Sequence, residues 1–417
     1  MILSQFRGYI IFRMKIESLR NAFPNITNYR PIGHGSFSEV FIGEHSLTRS
    51  IVAMKVVPIS KLDTPQKRIK IKREIDLMKR IDHPFIIHYY FCHQDSKCRY
   101  IMMEFSDNGN LLEYINKVGK IKEDTAKKIF CQLLSALRYL HEEMLILHRD
   151  IKMENVLLTT ENNIRLIDFG LSAEISMAEN LFSTFCGSMP YIAPEITKKE
   201  DYSTAVDIWS AGVILYCMVT GSLPFYSQNT HVLMKQIQES EPFFPSYLSP
   251  DLVDLLKGLL SKDKNSRLTA ASAAVHPWIS STNYSYYTSD SFLLDSRFKV
   301  LPKDLSTIDD SVIKTISHYI DSPVSLLDNF ITEENESTFL YRLIRSSIVS
   351  QLIERNTYYN EYSTSLPVLR AKKQSESYSY KRQSFNEQKI SLADSDGIRK
   401  RVRMRRFSHM NQIRPSV

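Results

Sequence analysis

Near the N-terminus of this 417-residue sequence is a run of small residues, the first residues whose types could take part in binding or catalysis. The run is Gly33-His34-Gly35-Ser36-Phe37-Ser38-Glu39-Val40, and it lies between two strand patterns. Because small residues let backbone amides approach an anion closely, the run fits a loop that covers phosphates. An ordinary hairpin turn is the alternative, and the run by itself does not exclude it.

Two charged residues farther along the chain favour the anion-binding interpretation. Lys55 lies in the apolar strand pattern VAMK, where a lysine that faces the core needs an anionic partner. Glu74, in the helix pattern IKREIDLM, can supply that partner. Each residue also has a plainer interpretation: an edge-strand lysine for Lys55, and a solvated helix face for Glu74.

The most specific motif is the run His148-Arg149-Asp150-Ile151-Lys152-Met153-Glu154-Asn155. Asp168-Phe169-Gly170 begins 13 residues after Asn155, and Ala193-Pro194-Glu195 follows it. Together with the glycine run and VAMK, the order and spacing of these motifs resemble the signature set of eukaryotic protein kinases. The resemblance covers about residues 29–279 and implies the two-lobe kinase fold, of class α+β, with a small β-rich N-lobe containing one helix and a larger helical C-lobe.

Hydrophobic periodicity predicts elements in the same order. Residues 29–100 alternate apolar and polar side chains in short strand-like runs, which one helix pattern at 68–81 interrupts. Beyond Gly109 the apolar spacing becomes helical, and the apolar segment 207–221 predicts a buried core helix. Strands therefore precede helices, as the two lobes require.

The resemblance implies roles in phosphoryl transfer, which needs positioned anions and charge neutralisation more than covalent chemistry. Lys55 would hold the α- and β-phosphates of ATP, and Glu74 would fix the lysine ammonium. Asp168 and Asn155 would bind Mg²⁺, because this ion prefers hard oxygen ligands.

The catalytic set implied by the resemblance is Asp150, Lys152, Asn155 and Asp168. Asp150 would accept or orient the substrate hydroxyl, and Lys152 would neutralise the transferred phosphoryl group. The remaining ATP contacts would come from the glycine run, from an apolar adenine pocket with a residue guarding its back, and from the hinge backbone. These predicted contacts are Ile32, Gly33, Gly35, Ser36, Val40, Ala53, Leu157, Met103, Glu104 and Ser106.

Two features indicate serine and threonine as acceptors. Lys152 stands where tyrosine kinases usually carry a different residue. The segment CGSMPYIAPE has a small hydroxyl, Ser188, where serine/threonine kinases keep one beside the catalytic aspartate. The segments FSTFCGSMPYIAPE, DFGLSAEI and GSLPF are similar to those of the AMP-activated and microtubule-affinity-regulating kinases. We therefore predict an ATP- and Mg²⁺-dependent serine/threonine kinase that acts on protein substrates in intracellular signalling. A pseudokinase scaffold that binds nucleotide without turnover is the alternative.

The same resemblance predicts a phosphorylation switch. Thr184 would be phosphorylated by an upstream kinase, and its phosphate would pair with Arg149, the cation that precedes the catalytic aspartate. Family habit further assigns Asp207 to tethering the catalytic loop and Arg267 to pairing with Glu195.

Three positions depart from the family pattern. Ser38 replaces the third glycine of the loop, which is tolerated in many kinases. Asn110 and Cys217 stand where arginine-directed kinases carry glutamate, so that Glu154 alone remains of the acidic set. We therefore predict no strong selectivity for basic substrates.

Outside the catalytic domain the sequence predicts less specific segments. Three amphipathic patterns between 305 and 352 predict a small helical region, similar to the ubiquitin-associated-like domain of this kinase subgroup. A plain helical extension that packs on the kinase is the alternative. The predicted boundaries are an N-terminal extension at 1–28, a polar linker at 280–304, the helical region at 305–352 and a basic tail at 353–417.

The net charge of +7 resides in the tail. Residues 361–417 contain 13 Lys and Arg against 5 Asp and Glu, which leaves 40 against 41 in residues 1–360. We expect the tail to be disordered and its run RKRVRMRR to contact acidic lipid or to direct nuclear entry, a solvated basic tail being the alternative. No specific nucleic acid partner is predicted, because an RNA- or membrane-binding protein would leave the catalytic motifs unexplained.

Cysteine number and hydropathy predict the compartment. The five cysteines are odd in number and lack CxxC spacing, which argues against a disulfide framework or a zinc site. The longest apolar stretch, from Trp209 to Val219, is shorter than the roughly 20 residues that cross a bilayer. The first 15 residues carry no secretory signal pattern. We therefore expect a cytoplasmic location.

Overall fold

The structure is a computed structural model, and it describes five stretches of the chain. They are residues 16–35, 38–175, 186–301, 309–319 and 336–355. None of the helices in these stretches combines the length and the hydropathy needed to cross a membrane.

A five-stranded antiparallel sheet forms the N-terminal lobe, with strand order β1-β2-β3-β5-β4. The central strand, β3, has the nearly continuous apolar sequence IVAMKVVP, because its neighbours β2 and β5 place it inside the sheet. Helix α1 precedes the sheet, and α2 packs on it through Ile71, Ile75 and Met78. Thr64 caps α2, and Pro65 is its first residue, so this helix begins slightly before the predicted segment. The elements are α1 (16–22), β1 (Ile26–His34), β2 (Glu39–His45), β3 (Ile51–Pro58), α2 (Pro65–Arg80), β4 (Tyr89–Gln94) and β5 (Cys98–Glu104).

Helices dominate the second lobe, and two short β-ladders on its cleft side carry the catalytic loops. The central helix, α6, is buried from Val206 to Val219, as its apolar sequence predicts. The two-lobe α+β prediction is therefore confirmed. The elements are α3 (Leu111–Val118), α4 (Glu123–Arg138), β6 (Ile146–Leu147), β7 (Val156–Leu158), β8 (Ile164–Leu166), β9 (Ala173–Glu174), α5 (Pro194–Thr197), α6 (Ala205–Thr220), α7 (Thr230–Glu239), α8 (Pro250–Leu259), α9 (Ala270–Ala274) and α10 (Pro277–Ser280).

The segment after α10 differs from the polar linker that the sequence predicts. Tyr287, Phe292 and Phe298 are buried, and the ring of Phe292 lies 5.7 Å from that of Phe85 and 4.7 Å from that of Phe298. The serines are structural, since Ser289 caps helix α11 by accepting a hydrogen bond from the Phe292 N–H. The segment is thus a packed edge of the C-lobe with three short helical elements, the 3₁₀ turns Asn283–Thr288 and Ser296–Phe298 and, between them, α11 (Asp290–Leu293).

Two helices of the predicted C-terminal region are described, α12 (Asp310–Tyr319) and α13 (Glu336–Arg355). The middle amphipathic pattern, VSLLDNFI, lies outside the described residues, so the ubiquitin-associated-like assignment stays a prediction. Leu340 and Ile344 of α13 share a hydrophobic cluster with Met54 of the N-lobe sheet. Helix α13 therefore packs on the N-lobe sheet rather than on α12 alone.

Candidate active site

The sheet of the N-lobe has two faces with different partners. Directly opposed residues on neighbouring strands share a face, and Lys55 opposes Val40 while Ala53 opposes Met103. Because Lys55 and Ala53 are two residues apart on β3, all four side chains lie on the same face of the sheet. Val52, Met54 and Val56 alternate with them and pack in the hydrophobic cluster that includes α13.

The face that carries Lys55 combines apolar and charged groups. Ala53 is buried, whereas Val40 and Met103 are partly exposed, as is Leu157 on β7. Ile32 is 51% exposed at the end of β1. Partly exposed apolar side chains beside a buried ion pair are typical of a ligand cleft, and these are the residues predicted to enclose adenine.

The glycine run forms the turn between β1 and β2. Gly33 opposes Val40 across the ladder, and the Gly35 N–H donates to the Ser38 carbonyl at 2.7 Å. A Cβ at Gly35 would lie 2.8 Å from the Ser38 hydroxyl, so the Ser38 side chain would have to shift to admit a side chain there. The predicted contact Ser36 lies outside the described residues.

Lys55 and Glu74 form the predicted ion pair, between Nζ and Oε1. Glu74 is 7% exposed and lies on the face of α2 that packs against the lobe, which rules out the solvated-face alternative. The pair thus links the central strand to the helix and holds the ammonium group at the cleft.

Asp168 lies near this ammonium group, just after β8. Its φ of 68° falls in the left-handed region, which is uncommon for a residue other than glycine and is found at functional sites. Burial opposes ionisation of the carboxyl, but the Lys55 charge and the Gly170 N–H hold the pKa of Asp168 below its ordinary value. The site therefore contains an ionised carboxylate beside a lysine.

Asp150 is the centre of a hydrogen-bonded cluster. Lys152 Nζ lies 2.7 Å from its Oδ2, and the Ser188 hydroxyl donates to its Oδ1 at 3.1 Å. Lys152 also contacts the Ser188 hydroxyl at 3.1 Å. Asn155 donates from its amide nitrogen to the Asp150 carbonyl at 2.9 Å and to its carboxylate at 3.1 Å. The side chains of Asp150, Lys152, Asn155 and Ser188 therefore form one hydrogen-bonded cluster, although Ser188 is distant in sequence from the other three.

The donor set fits a magnesium ion. The amide nitrogen of Asn155 is used by Asp150, and no hydrogen bond to the amide oxygen occurs in the described stretches. Asp168 supplies a hard, charged oxygen. The described residues hold no group of three or more His, Cys, Asp or Glu suited to a metal, and Mg²⁺ characteristically takes few protein ligands and completes its shell with phosphate and water.

Asp207 of α6 anchors the catalytic loop from below. Its carboxylate accepts the backbone N–H groups of His148 and Arg149, both at 2.8 Å, and contacts His141 Nε2 at 2.9 Å. The side chain is buried, and Arg149 has a left-handed φ of 66°. The two N–H contacts hold this unfavourable backbone conformation in place, as a tether of the loop must do.

Glu195 and Arg267 form a bidentate ion pair, as the sequence predicts. The Glu195 oxygens lie 2.6 Å and 2.9 Å from the two terminal guanidinium nitrogens, and both side chains are buried. The pair connects the segment that follows the activation loop to the helical core.

Arg149 of the catalytic loop is half-buried and contacts the start of the activation segment. Its Nε donates to the Leu171 carbonyl at 2.5 Å and its Nη1 to the Tyr202 hydroxyl at 3.0 Å. Within the described part of the chain, no carboxylate forms an ion pair with it. Thr184 lies outside the described residues, and its pairing with Arg149 stays a prediction.

The Glu104 side chain makes contacts that were not predicted from the sequence. Glu104 and Ser106 were predicted for their backbone, and Ser106 donates from its hydroxyl to the Leu158 carbonyl at 2.7 Å. The Glu104 carboxylate is buried and pairs with Arg165 and His88. Nothing in the sequence indicated this pairing, because an arginine between two apolar residues of a short strand normally faces solvent.

Comparison with known proteins agrees with this geometry. A family model described as a protein kinase domain matches residues 26–279. The SNF1-related protein kinase catalytic subunit alpha KIN12 of Arabidopsis thaliana is 34% identical over 328 residues, 79% of this chain and 65% of that protein. The serine/threonine-protein kinase SIK2 of Gallus gallus is 38% identical over 251 residues, 60% of this chain and 31% of that protein.

The matches leave more than a third of each relative's own length uncovered. The family model, which matches residues 26–279, includes every described site residue from Ile32 to Arg267. A single family model thus accounts for more than half of the chain, and the protein belongs to the protein kinase family.

Proposed function

We propose that this protein is an ATP- and Mg²⁺-dependent serine/threonine protein kinase related to the AMP-activated kinases. The observation that carries the proposal is the cluster around Asp150, in which Lys152 and Ser188 both contact the carboxylate. A pseudokinase scaffold is disfavoured, because the ion pair of Lys55 with Glu74 and the ionised Asp168 accompany this cluster.

Each residue of the site has its own role in the proposed reaction. Lys55 binds the α- and β-phosphates, and the face of β3 that carries it receives the adenine. Asp150 accepts a hydrogen bond from the substrate hydroxyl and orients its oxygen toward the γ-phosphorus, while Lys152 offsets the negative charge on the transferred group. Asp168 and Asn155 would hold magnesium, which would neutralise charge on the phosphates. The new bond joins the hydroxyl oxygen to phosphorus, the bond to ADP breaks, and the hydroxyl proton leaves toward Asp150.

Serine and threonine are favoured as acceptors by two observations. Ser188 contacts both Lys152 and Asp150, so a small hydroxyl occupies the position that the Ser/Thr prediction requires. SIK2, which matches 60% of this chain, is named a serine/threonine-protein kinase.

A transfer assay tests the proposal. The full chain is incubated with labelled ATP, Mg²⁺ and three peptides that differ only in a serine, threonine or tyrosine acceptor. We expect label on the serine and threonine peptides and little on the tyrosine peptide. The Lys55→Met variant is the control and should lose transfer. Nucleotide binding without any transfer, even after treatment with an upstream kinase, would establish the pseudokinase alternative.

We also propose that phosphorylation of Thr184 activates the protein. Arg149 is half-buried and pairs with no carboxylate in the described stretches, so it can accept a phosphate. A phosphothreonine carries close to two negative charges and three acceptor oxygens, which suits a guanidinium. Because Arg149 precedes Asp150 directly, the new ion pair would order the activation segment beside the catalytic loop.

Replacement of Thr184 tests this switch. After treatment with an upstream kinase we expect wild-type protein to gain activity and Thr184→Ala to gain none, with phosphate located by mass spectrometry. Ser183→Ala is the matched control, since it removes the neighbouring hydroxyl. Full activation of Thr184→Ala would place the switch at another residue.

Two further proposals, both from the sequence, concern the location of the protein and the contacts of its basic tail. The odd number of cysteines and the absence of CxxC spacing suit a reducing compartment, so we propose a cytoplasmic location. For the basic run at 399–406 we propose contact with acidic lipid or nuclear targeting. Protein substrates and an upstream kinase are the other partners proposed.

A further inference from the structure

Helix α13 carries a polar stripe on the side that meets the kinase domain. The stripe consists of Arg342, Ser346 and Ser350, which are spaced four residues apart and therefore lie on one face of the helix. Apolar residues surround it, including Leu343 and Val349, both of which are buried. Polar side chains in such an apolar interface need specific partners.

Each residue of the stripe has a partner on the kinase domain. Arg342 donates from Nη1 to the Tyr90 carbonyl at 2.8 Å, and Ser346 Oγ lies 2.7 Å from the Tyr90 hydroxyl. Ser350 accepts a hydrogen bond at 2.8 Å from Nη2 of Arg165 on β8. The stripe thus extends from β4 in the N-lobe to β8, beside the catalytic loops.

Arg165 connects this helix to the hinge. The residue is 2% exposed, and its Nε donates to Oε1 of Glu104 at 2.7 Å. Its Nη1 donates to the Ile164 carbonyl at 2.8 Å. Each guanidinium nitrogen of Arg165 therefore has an acceptor, and Ser350 is the one that α13 supplies.

Glu104 is the last residue of β5, where the chain leaves the N-lobe. Its second carboxylate oxygen contacts Nδ1 of His88 at 2.8 Å and accepts the His88 N–H at 3.3 Å. Burial alone would raise the pKa of Glu104, but Arg165 and His88 lower it to about 2. A buried carboxylate held from both sides cannot turn without breaking a charged hydrogen bond, so the orientation of this residue depends on Arg165.

The cleft lies next to these contacts. Met103, which is on the cleft face of the sheet, directly precedes Glu104 and opposes Tyr89 of β4. Tyr89 is in turn covered by the Arg342 guanidinium, 5.4 Å from the ring centre. The polar stripe therefore contacts β4, the strand that pairs with the end of β5, where the backbone is expected to meet adenine.

We propose that Arg165 is a positioning residue for the nucleotide site, and that Ser350 of α13 supplies the last acceptor that holds the Arg165 guanidinium in place. The helix and the arginine together hold Glu104, and through it the hinge backbone, in the conformation that binds adenine. This inference rests on the proposed function, because it assigns the cleft beside Glu104 to ATP. It predicts that loss of the Ser350 hydroxyl weakens ATP binding and leaves the transfer step intact.

Kinetics of serine variants in the full chain test the inference. We expect Ser350→Ala to raise the KM for ATP about three- to tenfold, the equivalent of one hydrogen bond, with kcat within about twofold of wild type. Ser350→Thr keeps a hydroxyl and should have the wild-type KM for ATP. Ser347→Ala, on the same helix, is the matched control and should match wild type. A KM for Ser350→Ala equal to that of Ser347→Ala, or a fall in kcat with unchanged KM, would overturn the proposal.

Arg165 variants and direct binding give a second measurement. Arg165→Lys keeps the charge but lacks the fork that contacts Glu104 and Ser350 together, so we expect the same weakening in the Kd for a fluorescent ADP analogue. An unchanged Kd would contradict the positioning role. If wild type binds the analogue but transfers no phosphate, the proposed function fails, and the Kd values of these variants alone decide the inference. If wild type binds no analogue, both proposals fail.

Discussion

The Asp150→Asn variant is expected to lose phosphate transfer by at least about 10²-fold in kcat, because loss of a positioned charge costs on the order of 3 kcal/mol in the transition state. Asparagine keeps the size of aspartate and can still accept the Ser188 hydroxyl. It has no negative charge to oppose Lys152, whose Nζ lies 2.7 Å from the carboxylate. The substrate hydroxyl then has no anionic acceptor.

Steady-state kinetics and thermal unfolding measure this effect together. We expect the Tm of Asp150→Asn to stay near that of wild type, since the volume and most hydrogen bonds are kept. Asp254→Asn is the control, because its side chain is 79% exposed and remote in sequence from every catalytic motif. A folded Asp150→Asn protein with the wild-type rate would exclude Asp150 as the catalytic residue.

The Arg267→Ala variant is expected to lower the free energy of unfolding by about 3–5 kcal/mol, because it leaves a buried carboxylate without its partner. Arg267 is 4% exposed, and two of its nitrogens contact Glu195 at 2.6 Å and 2.9 Å. The same side chain also donates to the Ala205 and Ser261 carbonyls, which lose their donor. The loss therefore combines an unpaired charge with unsatisfied backbone groups.

Denaturant unfolding of five variants tests the origin of this loss: Arg267→Ala, Lys235→Ala, the single variants Arg267→Met and Glu195→Gln, and their combination. Lys235→Ala breaks an exposed pair on α7 and should cost less than about 1 kcal/mol. The double variant Arg267→Met/Glu195→Gln removes both charges, so it should be more stable than the sum of the two single changes predicts. A cost for Arg267→Ala as small as that for Lys235→Ala would mean that the buried pair contributes little to stability.

The family and the two-lobe fold could be predicted from the sequence because both depend on local features. The motif around Asp150 and the DFG motif are continuous runs with a set spacing, and the lobes follow from hydrophobic periods of two and of about 3.6 residues. The pairing of Lys55 with Glu74 was also predictable, since a lysine in a core strand requires an anion. The family match confirms the predicted family, and the observed elements confirm the predicted two-lobe fold.

The segment after α10 shows where composition misleads. Its serines and threonines made it resemble a polar linker, yet Ser289 caps a helix and Phe292 is 1% exposed. Hydroxyl side chains satisfy backbone groups in short helical turns as well as in solvated loops, so their frequency does not distinguish the two. Contacts with residues distant in sequence, such as the ring of Phe85, show that this segment is part of the core.

By itself, the sequence determined which residues of this protein can do chemistry and in which lobe each lies, because their types and spacing are properties of a continuous chain. The tertiary structure alone decided which groups meet across long separations, such as Ser188 with Asp150 and Arg165 with Glu104 and Ser350. Arg165 is a charge between apolar residues in a short strand, and its burial depends on a helix 185 residues away. A partner at that distance leaves no trace in local periodicity, and only the packed fold brings the two together.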